Sequence, residues 1–210
     1  AGAAGVAAPA ADLPFTLLSN HEDPEHEQPA RFRDHPLRPE QLRTLRWMRA
    51  AERSEEAFVF DREAVDSATR LHGWRIRGRL RSAVRVRGGI LADKVGYGKT
   101  ATTIGLVECT RGEGPARPPG GCGGALVPSR ATLVLCPVNL ITQWVREVQK
   151  FVAGGLRVIP LQTYAQLKRV SAQELADADV VVTTYRLFYS APYLERLRQV
   201  ACLQSGGGRG

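Results

Sequence analysis

Gly88-Gly89-Ile90-Leu91-Ala92-Asp93-Lys94-Val95-Gly96-Tyr97-Gly98-Lys99-Thr100 is the stretch that decides how this chain is read. Ile90 to Ala92 is an apolar run of the length of a short buried strand, glycines allow the backbone to turn back, and Ala101 to Cys109 has the composition of a following helix. A loop in that position aims several backbone N–H groups at one point, where the helix dipole also favours an anion. Lys99 then supplies a point charge for the β and γ phosphates of a nucleotide, and Thr100 a hydroxyl for the accompanying Mg²⁺. The general phosphate-loop pattern asks for glycine at position 93, where this chain carries Asp93.

The 210 residues suffice for one good-sized domain, and 43% hydrophobic content is ordinary for a globular core. No apolar run approaches the roughly 18 residues that cross a bilayer, and the Ala/Pro-rich start lacks the regions of a secretion signal, so no membrane segment is expected. A chain that opens on Ala1 and closes on Ser-Gly-Gly-Gly-Arg-Gly reads as a fragment of something longer. Cysteines 109, 122, 136 and 202 form no Cys-x-x-Cys pair and no His is placed to complete a zinc site, which predicts reduced thiols and no metal beyond nucleotide-borne Mg²⁺. The net charge of +8 is concentrated: Arg70 to Arg87 holds seven arginines and no acid, which leaves +1 for everything else.

In chain order, residues 1–35 are Ala/Pro-rich and then acidic, and read as linker or disorder. Leu37 to Met48 predicts an amphipathic helix starting at Pro39, with apolar positions 42, 45 and 48. The carboxamide of Gln41 within it offers a donor and an acceptor side by side, the complement of the N6 and N7 edge of adenine. Residues 50–70 read as a charged, partly helical insertion. Trp74 to Arg81 alternates strictly and Val84 to Arg87 resumes the phase, which predicts a strand or hairpin with one apolar face and one of guanidinium groups. Such a face either tracks a phosphate backbone or protects a solvated sheet edge.

Beyond a Gly/Pro-rich loop at 111–130, Ala131 to Cys136 predicts a central parallel strand covered on both faces. Leu140, Ile141, Trp144, Val145, Val148 and Phe151 form a helical stripe facing the sheet. Leu156 to Leu161 predicts a third strand, Ser171 to Glu174 a capping box, and Val180 to Thr184 a fourth strand. Strand and helix alternate throughout, so the expected fold class is α/β, a doubly wound parallel sheet.

Three separated blocks, Leu37 to Met48, Gly88 to Thr100, and Leu133 to Pro137 with Gln143-Trp144, together resemble the Swi/Snf-type helicase-like ATPases of helicase superfamily two. That family uses Asp-x-x-Gly-x-Gly-Lys-Thr as its phosphate loop, so the resemblance accounts for Asp93. It implies the N-terminal RecA-like lobe over residues 36–200, with insertions near 50–87 and 111–130 and a Gly-rich tail at 201–210. Those insertions are similar to the ones of the subgroup that also carries a RING finger. By position, the resemblance implies that Gln41, Asp93, Gly96, Tyr97, Gly98, Lys99 and Thr100 bind ATP and Mg²⁺. It also implies that Pro137, Thr183 and Thr184 face DNA, joined by Arg75, Arg77, Arg79 and Arg81 if the arginine strand follows phosphates.

The implied partners are double-stranded DNA, nucleosomes and a second RecA-like lobe of the same parent chain, and the implied location is the nucleus. Lys94, Val95 and Tyr97 replace the family's usual Glu, Met and Leu. No Asp-Glu dipeptide follows any strand and arginine fingers are absent, so the fragment is expected to end before the acidic metal-binding motif and to bind nucleotide without hydrolysing it. Two other readings stand beside this one: a degenerate, non-hydrolysing DNA-binding or scaffold lobe, and an unrelated P-loop NTPase.

Overall fold

The computed structural model describes residues 19–66, 76–113 and 127–206; of residues 58, 60, 65, 66, 76 and 200–206 it describes the backbone alone. Helix α1 (Pro39–Arg53) begins at a proline, whose missing N–H would be unpaired in a first turn anyway, and buries Leu42 and Leu45. Helix α2 (Lys99–Thr110) begins directly after Gly98. Strand β3 (Thr132–Leu135) leads through Pro137 and a 3₁₀ turn (Val138–Leu140) into α3 (Ile141–Phe151), which buries Ile141 and Val148. Strand β4 (Val158–Leu161), the short helices α4 (Tyr164–Leu167) and α5 (Ala172–Ala176), strand β5 (Val180–Thr183), α6 (Tyr185–Phe188) and α7 (Ala191–Gly206) complete the order. The capping box at Ser171 forms as predicted, the hydroxyl accepting from Glu174 N–H and the Glu174 carboxylate accepting from Ser171 N–H.

The sheet is parallel in the order β3-β5-β4, with Val182 opposite Val134 on one side and Pro160 on the other. Helices cover both faces. Val107, Val134, Cys136, Ile141, Val180 and Val182 pack α2 and α3 onto one face, while Leu161, Ala178, Val181 and Leu187 meet Tyr164, Leu167 and Leu175 on the other. A further cluster lies on the far side of α2, where Leu42 and Leu45 of α1 meet Ala101, Ile104, Val148 and Val152. Gly105 sits where this packing is tight: a Cβ there would stand 2.9 Å from the end of the buried Leu37 side chain. The α/β class with helices on both faces of a parallel sheet is thereby established.

Four expectations are corrected. Ala131 to Cys136 does not give the central strand: β5 is central and buried throughout, whereas β3 lies at an edge with Leu133 exposed. Ile90 to Ala92 is not a buried strand. A strand needs a neighbour for its backbone N–H and C=O groups, this segment has none among the described residues, and Ile90 is 88% exposed. Residues 50–70, expected to be partly helical, are helical only to Arg53, where α1 ends; β1 (Ala57–Asp66) then pairs antiparallel with β2 (Ile76–Arg85).

The linker expected over 1–35 also gives way in its described part. Phe32 is buried in the core against the Phe151 ring, and Arg31 joins both oxygens of Glu108 and the carbonyl of Gly155. No helix among the described residues is long and apolar enough to cross a membrane. Residues 67–75, with Trp74 and Arg75, and most of the 111–130 loop lie outside the described residues.

Candidate nucleotide site

Gly96 and Gly98 take φ values of 89° and 78°, the left-handed conformation that a side chain resists, and Gly98 is the residue from which α2 starts. Successive residues in this geometry turn their N–H groups inward, and the first turn of α2 leaves its own N–H groups without helical partners. Lys99, the first residue of α2, curls back so that its ammonium donates to the carbonyls of Asp93 at 2.6 Å and Lys94 at 3.0 Å. The cation is therefore held inside the loop. Thr102 and Thr103 donate their hydroxyls to carbonyls one turn earlier, whereas the Thr100 hydroxyl has no hydrogen-bond partner among the described residues.

Helix α1 closes one side of the loop. Gln41 is buried, its Oε1 accepts from the N–H of Arg38 at 2.9 Å, and its Nε2 donates to the carbonyls of Tyr97 at 3.1 Å and Gly98 at 3.4 Å. Glycine at 98 is required here for space as well as conformation, because a Cβ would collide with the Gln41 amide. Arg38 adds a second bond to the Tyr97 carbonyl at 3.0 Å. Beside these groups is a cavity of about 150 Å³ lined by Asn20, Gln41, Thr44, Asp93 and Tyr97, together with Ser19, His21, Glu40 and Arg43. The structure thus gathers Gln41, Asp93 and Tyr97 at one cavity, with Gly98 and Lys99 next to it.

The residues expected to face DNA are spread over two places. Pro137 follows β3, and Thr184 lies at the end of β5 in a cleft of about 390 Å³ shared with Val138, Gln162, Thr163, Tyr164 and Arg186. The Thr183 hydroxyl is committed to the fold, donating to the carbonyl of Leu161 at 2.8 Å in the buried sheet. Arg77 and Arg79 stand far along the chain from that cleft on β2 and are ion-paired to β1, Arg77 with Glu63 at 2.7 Å and Arg79 with Asp61 at 2.5 Å. Arg81 is exposed opposite Asp61 in the register. The acid-free arginine run thus meets its acids on the neighbouring strand.

Sequence reasoning missed Arg38, Asn20 and Thr44. Arg38 stands three positions before Gln41, but an arginine beside a helix start carries no signal of its partner. Asn20 is in the segment read as linker, and only folding brings it to the Thr44 hydroxyl, 3.1 Å away.

Comparison with known proteins adds the following. Residues 40–204 match the SNF2-related domain model. A protein named DNA (cytosine-5-)-methyltransferase DMT5 from Cryptococcus neoformans var. grubii is 39% identical over 89% of this chain, and one of the same name from Verticillium dahliae is 28% identical over 79%. DNA repair protein rad5 of Aspergillus fumigatus is 30% identical over 56% of the chain. The chain spans 8%, 7% and 10% of the length of these three relatives.

Proposed function

This chain belongs to the SNF2-related domain family, and on that premise we propose that it is the ATP-binding lobe of a DNA-dependent motor. The observation that carries the reading is the phosphate loop, with two left-handed glycines leading into α2 and the Lys99 ammonium already inside the turn. The loop and the first N–H groups of α2 receive the phosphates of ATP, and Lys99 exchanges two backbone carbonyls for a phosphate oxygen. Thr100, whose hydroxyl has no hydrogen-bond partner among the described residues, fits the role of a Mg²⁺ ligand. When bound, Mg²⁺ neutralises charge on the β and γ oxygens. Gln41 and Arg38, both holding the Tyr97 carbonyl, couple α1 to the shape of the loop.

DNA lies at the carboxyl ends of the parallel strands, where open α/β sheets bind ligands, so that Pro137 and Thr184 border it and Thr183 supports the strand beneath. The long match to proteins named cytosine-5 DNA methyltransferases, against a shorter match to rad5, favours a motor serving DNA methylation in the nucleus, with nucleosomal DNA as a substrate. A second RecA-like lobe completes the motor. With no Asp-Glu dipeptide in the sequence, this chain alone binds nucleotide without turning it over.

The test is a fluorescence titration with ATP and GTP in excess Mg²⁺. A charge-assisted bond is worth about 1.5 to 3 kcal/mol, so Lys99→Ala is expected to weaken both nucleotides roughly ten- to a hundredfold. Equal affinity in the variant and the wild type would remove the phosphate loop from the reading.

A further inference from the structure

Resting on the DNA reading above, we propose that the β1–β2 ribbon is a second DNA-binding element, separate from the cleft at Thr184, and that Arg81 and Arg85 near its root hold the phosphate backbone. The root is the end at which β2 runs on to Gly88. By the register, Arg77, Arg79, Arg81 and Arg85 share one face of the ribbon with Asp61 and Glu63. Directly across the strands, Asp61 stands opposite Arg81 and Glu63 opposite Arg79. Neither acid takes that partner. Asp61 accepts from Arg79 through both carboxylate oxygens and Glu63 pairs with Arg77 at 2.7 Å, so each leans one step away from the root. Arg81 and Arg85 are left exposed with no acidic partner among the described residues, and Arg87 keeps only a 3.5 Å contact with the exposed Glu55.

The ribbon has the form of an element that meets its partner outside the chain. Two strands alone are marginally stable in water. Yet every described side chain of β1 and β2 is exposed except that of Val84, which is half-buried, and neither strand packs broadly on another element among the described residues. Its root is nonetheless fixed: Gly88 donates its N–H to the Ala51 carbonyl of α1 at 3.0 Å, and Gly89 lies against the Trp47 ring, where a Cβ would stand 2.7 Å from it. The chemistry of the free face selects the partner. Alternate residues of a strand are about 6.8 Å apart, so the four arginines make a straight row of charge about 27 Å long. Duplex DNA carries one negative charge per about 1.7 Å of axis, and its major groove, about 12 Å wide, admits a two-stranded ribbon. The carboxylates of a folded protein surface carry no such regular spacing. Guanidinium groups take phosphate oxygens in pairs, and those of Arg81 and Arg85 break no ion pair to do so. Contacts of this kind set position and affinity but read no base.

The experiment follows the binding of fluorescein-labelled duplexes to the whole chain by anisotropy, without nucleotide, over a range of salt concentrations. Arg81→Gln combined with Arg85→Gln is expected to weaken two duplexes of unrelated sequence alike, roughly ten- to a hundredfold at low salt, and to reduce the log–log salt slope by about 1.8, the share of two phosphates. Asp61→Asn combined with Glu63→Gln releases Arg79 and Arg77 and should act in the opposite direction, tightening the complex and steepening the slope. A ribbon with a purely structural role would show no such gain.

An unchanged salt slope in the arginine variant overturns the inference, as does a loss confined to one duplex or weaker binding in the acid variant. Each of these results leaves the DNA reading at the Thr184 cleft standing. Labelled polyglutamate that binds the wild type more tightly than the duplexes, and loses that advantage in the arginine variant, assigns the face to an acidic protein and overturns it too. A wild type that binds no duplex overturns both the inference and the DNA reading.

Discussion

The parallel sheet and the β1–β2 hairpin draw on similar β-branched and apolar residues and end in opposite environments. In the sheet, Val180, Val182 and Thr183 are almost wholly buried because β5 has a strand on each side and helices on both faces. The hairpin has ten-residue strands, yet Val59 and Leu80 remain at least half exposed, and among the described side chains its strands are joined by charge: Arg77 to Glu63 and Arg79 to Asp61. Two strands enclose no interior, so cross-strand pairs must serve where burial cannot. The difference teaches that the period of a pattern identifies a strand while its neighbours decide what the strand is worth.

The widest separation between the two regions is expected from matched truncations. Leu45→Ala deletes a fully buried side chain from the packing of α1 on α2 and should cost about 2 to 5 kcal/mol, while Leu80→Ala, 60% exposed, should cost less than about 0.5 kcal/mol. Urea unfolding of both variants checks this, and similar losses would show that the hairpin shares the core. A smaller effect is expected at the lobe's own ion pair. Arg31→Ala leaves the Glu108 carboxylate, only 8% exposed, without its bidentate partner and also frees the Gly155 carbonyl, so a loss of about 1 to 3 kcal/mol is predicted by the same measurement. A value near zero would place this pair with those of the hairpin.

The smallest effect is a pH dependence confined to the hairpin. Hydrogen bonds from Arg79 hold the Asp61 carboxyl below its ordinary range. A group whose folded value is lowered stabilises above its unfolded value and ceases to do so as pH falls through the folded one, so the pair should loosen only under acid. Amide exchange in β1 and β2 should then accelerate relative to β5 on acidification, after correction for intrinsic rates. In Arg79→Gln that acid-dependent component should disappear, and its persistence would assign the loosening to another group.

Much of the candidate nucleotide site was legible because its geometry is local. Glycines two apart, a lysine and a threonine within five positions must turn and point as they do, and the structure returns left-handed Gly96 and Gly98 at the start of a helix. Helix α1 was legible for a similar reason, since Pro39 and the spacing of Leu42 and Leu45 need no distant partner. Illegible were the groups whose meaning depends on what folds against them. The arginines of β2 look like an uncompensated field until β1 brings Asp61 and Glu63 alongside, and Asn20 looks like part of a tail until it meets Thr44.

By itself, then, the sequence determined the α/β class, the helix periods and the glycine turn that leads into α2, all of which follow from backbone preference and side-chain spacing within one turn or one strand. Tertiary structure alone decided that β5 and not β3 is central, that Ile90 to Ala92 pairs with no strand among the described residues, and that Gln41 is tied to the loop while Asn20 meets Thr44 beside the same cavity. The physical reason is common to these cases. Strand order, burial and hydrogen-bond partners are properties of pairs of segments far apart in the chain, and a single segment carries no record of which partner it will meet.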